Sequence, residues 1–223
     1  MKLVNTYYNV ELEMNENQIT VLSVENPVAY TKIVGDFWHQ INGEEGSFIL
    51  SDAGKIKNIA KEIECIFNPF AVDCNNKKVI SKLYQELKSQ SESVLQEETL
   101  EINSHILGYL EKLIMTVPYS LKYNYDMDVN ALMKMYDIQI DNQAEGLLEN
   151  FVEYIKVVSR ICGIKMFVLV DIKHYFTKEE LQELYKSVFY EKIYLVIIEP
   201  VHTERLEGEK CWIIDKDLCI INL

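Results

Sequence analysis

The chain is predicted to be an α/β protein whose two sheet-forming ends are separated by an inserted helical section, and three observations carry that prediction. Two short apolar runs, Met166-Phe-Val-Leu-Val-Asp171 and Ile193-Tyr-Leu-Val-Ile-Ile-Glu-Pro200, bracket a helical pattern in the C-terminal third. The first residues alternate strand and helix patterns, and nearly everything between the two ends has helical periodicity. Ends rich in strand signals enclosing a helical middle fit one interrupted α/β unit better than two domains in series. The expected boundaries are 1–68 for the first half of a head, 69–150 for the helical section and 151–223 for the second half of the head.

Taken in chain order, Gln18–Ser23 reads as a strand, and Pro27–Trp38 as a helix with Val28, Ile33, Val34 and Phe37 at helical spacings. Gly46–Ser51 reads as a second strand. Lys55–Phe67 is predicted helical, with Ile56, Ile59, Ile63 and Ile66 on one face and Asn68-Pro69 as its stop. Three sets then recur at three- and four-residue steps: Val79, Leu83 and Leu87; Ile102, Ile106, Leu110 and Leu113; Leu147, Leu148, Phe151, Ile155 and Val158. With a break at Pro118 and a short helix near Val129–Tyr136, these predict amphipathic helices packed as a bundle.

The two C-terminal runs are too short for buried helices, rich in β-branched and aromatic residues, and without polar alternation. They are predicted to be interior parallel strands. Thr177-Lys-Glu-Glu180 between them has the capping-box pattern, followed by Leu181, Leu184, Tyr185 and Val188 at helical spacing. Each strand closes on an acid, Asp171 and Glu199, which predicts two carboxylates at the C-terminal rim, where α/β sheets receive ligands.

An apolar fraction of 48% in 223 residues supports a sizeable core. No apolar run approaches the ~18–20 residues that cross a bilayer, and no basic segment leads into an apolar one at Met1, so a cytoplasmic protein without membrane contact is expected. Cys65, Cys74, Cys162, Cys211 and Cys219 include no C-x-x-C pair, which points to reduced thiols rather than a disulfide framework or zinc site. The formal charge of -13 opposes indiscriminate binding of nucleic acid unless the lysines are segregated on one surface.

Motifs for chemistry are sparse. A phosphate loop requires glycines that let backbone amides wrap the anion, followed by Lys and Ser/Thr; here only Gly54-Lys55 stands between a predicted strand and helix, with Ile56 where the hydroxyl belongs. The pattern is that of a nucleotide-hydrolase sheet lacking its phosphate loop. His39, His105, His174 and His202 form no metal-ligand spacing. His174 and Asp171 could share a loop as an acid–base pair, but no nucleophile motif accompanies them. Asp126 and Asp128 lie in the turn-rich Tyr123–Asp128 stretch, which supplies part of the six to eight oxygens that calcium takes. Lysines are scattered through the helical section: Lys77, Lys78, Lys82, Lys88, Lys112, Lys122 and Lys134.

Two blocks resemble a known family. Phe70-Ala-Val-Asp73 with Lys77–Gln90 looks like the turn and first leg helix of the small type II-A CRISPR-associated adaptation protein, the ring-forming, DNA-end-binding accessory of spacer acquisition. Phe167-Val-Leu-Val, Phe176–Leu181, Leu195–Pro200 and Trp212–Asp217 form the second block. The resemblance implies an α/β head with a nucleotide-hydrolase-like sheet, an inserted helical leg and a homotetramer around double-stranded DNA. It also implies lysines on the inner wall, calcium as a cofactor, other CRISPR adaptation proteins as partners, and no catalysis. Carried onto this chain, it assigns DNA contacts to Lys77, Lys78, Lys122 and Lys134 and calcium to Asp126 and Asp128. The chain departs from the family at Leu121–Asp128, where the acidic stretch is thinner. A nucleotide hydrolase of related topology and a purely protein-binding scaffold are the competing readings.

Overall fold

The computed structural model describes residues 1–223. It divides into two compact units, a head of Met1–Cys74 with Asn142–Leu223 and a helical unit of Asn75–Asp141. The boundaries at 69 and 150 read from the sequence therefore shift inward. The physical reason lies in the flanking stretches: a 3-10 turn at Pro69–Ala71 packs on the helix Leu147–Cys162, and the Asn142 amide donates to Asn150 Oδ1 at 2.6 Å and to Cys74 Sγ at 3.8 Å.

The head begins with β1 (Lys2–Asn5), β2 (Val10–Glu13), β3 (Ile19–Val24), α1 (Pro27–Ile41), β4 (Phe48–Asp52), β5 (Lys55–Lys57), α2 (Ile59–Glu62) and β6 (Ile63–Ile66). The helical unit holds α3 (Lys77–Ser93), α4 (Gln96–Ile114) and α5 (Val129–Met135). The head resumes with α6 (Leu147–Cys162), β7 (Met166–Val170), α7 (Lys178–Tyr190), β8 (Tyr194–Glu199), β9 (Glu209–Ile214) and β10 (Ile220–Asn222).

Six strands form the main sheet in the order β10-β9-β3-β8-β7-β6; all neighbours pair in parallel except the edge pair β10 and β9. A second, antiparallel sheet has the order β2-β1-β4-β5. Alternate residues of a strand face opposite sides. Leu22, Val168, Val196 and Trp212 join Ile33 and Phe37 of α1, together with Leu3, Leu12 and Leu50 of the second sheet, in one apolar core. The opposite face is covered by α6 and α7. Tyr154 of α6 donates to Glu64, which is in register with Phe167, and Tyr185 of α7 donates to Glu209, which is in register with Ile19.

Three expectations change. Lys55–Phe67 is not one helix but β5, the single turn α2 and β6; its β-branched isoleucines suit strands as well as a helical face. Gly54 and Lys55 sit at a hairpin, not before a helix, because Ala53 and Gly54 both take positive φ (46° and 77°), the backbone of a tight two-residue turn. The bundle expected to run to Ser159 loses its last helix to the head, where Gly163 ends α6 in the left-handed conformation.

In the helical unit α3 packs on α4 and α5. Val79, Tyr84 and Met133 are its buried residues, and the Tyr84 hydroxyl donates to Ile138 O at 3.2 Å. α4 buries no residue at all. No helix of the protein is long and apolar enough to cross a membrane.

Candidate functional site

A phosphate loop, where one exists, joins a central strand to the N-terminus of the next helix, and in this head that connection is β3 to α1. Only Glu25 and Asn26 separate the two elements. Asn26 Oδ1 accepts from Val28 N at 3.0 Å and Ala29 N at 3.1 Å, while Pro27 has no amide hydrogen to offer. The donors that would hold a phosphate are thus satisfied within the chain. The Asn26 amide also donates to Lys216 O at 3.0 Å, fixing the turn to the connection that follows β9.

The rim beside this turn is acidic. Ser23, Glu199 and Asp171 follow one another across β3, β8 and the end of β7 on the α7 side of the sheet. Glu199 is buried, and its Oε1 accepts from Ile172 N at 3.1 Å and Lys173 N at 3.0 Å, so this carboxylate holds the loop after β7. Burial raises its pKa above the ordinary value despite those two amides. Burial also raises that of the Tyr30 phenol, with Asp171 and Glu199 adding to the shift. Asp171 takes positive φ (54°) and lies 3.2 Å from His174 Nδ1, so the loop-borne pair expected from the sequence is present, with both side chains half exposed. No serine or cysteine nucleophile stands on that pair in hydrogen-bonding contact.

Lys173, the one buried lysine, turns inward: its Nζ is 2.7 Å from Glu209 Oε1 and 3.3 Å from Thr203 Oγ1. Glu209 also accepts from the Tyr185 hydroxyl at 2.5 Å and Leu206 N at 3.0 Å. Sequence reading missed Lys173 and Glu209: each stands among polar and charged neighbours, Asp171 and His174 for the one and Glu207 and Lys210 for the other, so composition does not distinguish either from a surface position.

The residues assigned from the resemblance all lie in the helical unit, in three segments. Lys77 and Lys78 share the first turn of α3, whose N-terminus is capped by the Asn76 side chain accepting from Lys78 N and Val79 N. Lys122 is exposed in the irregular stretch between α4 and α5, and Lys134 is exposed in the last turn of α5. Charge is distributed unevenly along the unit: α3 carries Lys77, Lys78 and Lys82 before its first carboxylate at Glu86, whereas α4 opens with Glu97, Glu98 and Glu101. Lys77 and Lys78 are consecutive in one helical turn, whereas Lys122 and Lys134 lie on two further segments of the unit.

Asp126 and Asp128 do not make a calcium shell with the side chains around them. Asp128 is the N-cap of α5, its Oδ1 accepting from Asn130 N at 2.9 Å, and no group of three or more His, Cys, Asp or Glu side chains is placed to hold a metal ion. A hard cation that takes six to eight oxygens is not matched by two exposed carboxylates, one of them committed to a helix end. Their stretch is fastened to α4 instead, by Asn103 Nδ2 donating to Tyr125 O at 2.9 Å and by the Tyr123 hydroxyl donating to Glu111 at 3.2 Å.

A mostly parallel sheet with helices on both faces, a self-capped turn between β3 and α1 and a helical unit inserted before α6 define a nucleotide-hydrolase-like α/β head without a phosphate loop at that turn. Residues 40–218 match the family described as "CRISPR-associated protein (Cas_Csn2)", and the chain belongs to that family. It is 23% identical over 212 residues to the CRISPR-associated protein Csn2 of Streptococcus agalactiae, covering 91% of this chain and 90% of the relative. Among solved structures it is similar to a nucleotide-free ATP-binding cassette from an ABC transporter, with 14% identity, TM-score 0.46, and 96% and 87% of the two chains covered. It is also similar to cbiO1 of Clostridium perfringens, part of the ABC transporter complex cbiONQ, with 11% identity, TM-score 0.49, and 92% and 76% covered.

Proposed function

We propose that this chain binds the ends of linear double-stranded DNA, without reading sequence and without catalysis, as a homotetrameric ring that supports CRISPR spacer acquisition in the cytoplasm. The observation that carries the reading is the segregation of lysines on the first turns of α3, in a member of a CRISPR-associated family. Three lysines without an intervening carboxylate, at the positive end of a helix dipole, attract phosphate locally although the whole chain is acidic. Phosphate contacts suffice to hold duplex ends of any sequence.

Assembly is supported by α4, whose Leu100, Ile102, Ile106 and Leu113 stay exposed in the single chain. Absence of catalysis is supported by the self-capped β3–α1 turn and by Lys55 lying in a hairpin of the other sheet. No step of this function is routed through calcium.

The test is a gel shift with linear and covalently closed circular duplex of the same sequence. Binding of linear duplex alone is expected, since a ring loads by threading an end. Reversing Lys77, Lys78, Lys122 and Lys134 to Glu should abolish the shift while the molecular mass is kept. Equal binding of closed circles, or unchanged binding after reversal, would refute the proposal.

A further inference from the structure

Phe70 is 66% exposed on the Pro69–Ala71 turn of the head, outside the apolar core, with its ring edge on Tyr175 at 5.5 Å between centroids. Tyr175 is itself 40% exposed and lies against the His174 ring, tilted by 38° with 4.0 Å between centroids. His174 faces Asp171, and beyond Asp171 opens a cavity of about 400 Å³ between the loops that follow β7 and β8, with Phe176, Leu181, Pro200, Val201 and Leu206 as its apolar lining. An exposed row of rings therefore leads into an apolar slot. Aromatic side chains beside a partly open apolar pocket are what protein-binding centres are made of.

Charge selects the kind of occupant. Lys173 is bound to Glu209 inside, and Lys178, at the mouth, is bound to Glu204 at 2.5 Å. Asp171 remains, half exposed and with no lysine or arginine in ion-pairing distance, while Glu199 is buried on the amides of Ile172 and Lys173. A phosphate would meet carboxylates here; a cation with an apolar neighbour would find both matched. Among cations the guanidinium fits best, because it is flat, stacks on aromatic rings and pairs with a carboxylate through two parallel hydrogen bonds.

We propose that this face of the head docks a segment of a different protein that presents an arginine beside an apolar side chain. The guanidinium lies on the Tyr175–His174 rings against Asp171, and the apolar side chain enters the slot over Val201 and Leu206. The row of rings reaches Phe70, outside the cavity, which is a larger surface than a small pocketed ligand uses. A second copy of this chain is a poor occupant: its two arginines are engaged, Arg160 with Glu191 and Arg205 Nε with Glu209 O at 2.8 Å. The inference does not depend on DNA binding.

The full chain is panned against a randomised peptide library displayed on phage, and recovered peptides are titrated by fluorescence anisotropy. Peptides with Arg next to Leu, Ile, Met or Phe are expected. Their affinity should fall at least tenfold with Asp171→Asn, with Phe70→Ala and with Val201→Asp, and with Arg→Lys in the peptide. It should be unaffected by reversing Lys77 and Lys78. Asp171→Asn tolerates the positive φ at this position, and unchanged urea midpoints identify each variant as folded. Failure to enrich any peptide, enrichment of sequences without arginine, or affinity retained in both Asp171→Asn and Phe70→Ala overturns the proposal. Displacement of the peptides by linear duplex DNA overturns it too, since it assigns the face to phosphate.

Discussion

Lys173 and Glu209 show how one buried pair ties the rim together. Removing one partner leaves an uncompensated charge under the loop, which costs about 3–5 kcal/mol for buried ion pairs. Lys173→Met should therefore lower the unfolding free energy obtained from urea titration by that order. Adding Glu209→Gln should restore most of it, because the uncharged amide keeps Leu206 N on its oxygen and turns its NH2 to the Tyr185 hydroxyl oxygen, the two groups that meet Oε2 and Oε1 of the carboxylate. If the double variant is no more stable than the single one, the loss is one of shape rather than charge. Glu199 gives a pH-dependent counterpart. Its folded pKa is raised, so the carboxyl favours the fold fully when protonated in both states, below the ordinary 4.5, and that contribution is lost as pH rises through the folded value. Glu199→Gln keeps the acceptor for Ile172 N and Lys173 N but cannot ionise. Urea midpoints followed upward from pH 4.5, the ordinary value, should show the variant gaining on the parent as pH rises, and a constant difference would mean that the group is ionised at no cost.

At the scale of elements, Asp128 distinguishes a helix cap from a metal ligand. Asn caps as well as Asp, whereas Ala loses the bond to Asn130 N, a difference of about 1 kcal/mol. Asp128→Asn should leave the thermal midpoint unchanged and Asp128→Ala should lower it, equally with calcium or with chelator; a calcium-dependent difference between the two would return Asp128 to a ligand role. For α4, Ile102→Glu with Ile106→Glu should leave the helical circular dichroism intact, since neither residue is buried, and reduce the mass by light scattering towards one chain. A mass equal to the parent's would show that assembly uses another surface.

At the scale of the whole molecule, the question is how a chain of charge -13 holds a polyanion. Binding through Z phosphates gives a log–log salt slope of about -0.9Z, and each lysine removed from every subunit lowers its steepness by roughly one unit for every phosphate that lysine neutralised. Lys77→Ala and Lys78→Ala should flatten the slope additively, and duplexes of different sequence should bind alike. A slope near zero in the parent would mean that phosphates are not what this surface holds. The two proposed functions place opposite charges on separate structural units: lysines on the helical unit, and Asp171 with Glu199 on the head.

Much of this was legible in the residues because the signals are local. The runs Met166–Val170 and Tyr194–Glu199, the capping box at Thr177–Glu180 and the helical stripes of α3, α4 and α6 depend on periodicity and caps, which a chain carries wherever it goes. The N-terminal hairpin has a local signal too, the alternation of Leu3, Asn5, Val10 and Leu12, although sequence reading missed it. Other features depend on what lies across the sheet or across a turn. Ile63 and Ile66 became strand because β7 offered a parallel edge, and Gly54-Lys55 became a hairpin because Asp52 and Lys55 pair. Likewise α6 left the bundle because the sheet face took its apolar stripe. Asn26 as the occupant of the phosphate position, Lys173 on Glu209, and Phe70 beside Tyr175 join residues up to 190 positions apart. Composition and spacing determined which elements this chain could form; only the tertiary structure decided which side chains meet, because burial and register are properties of neighbours that the local sequence does not name.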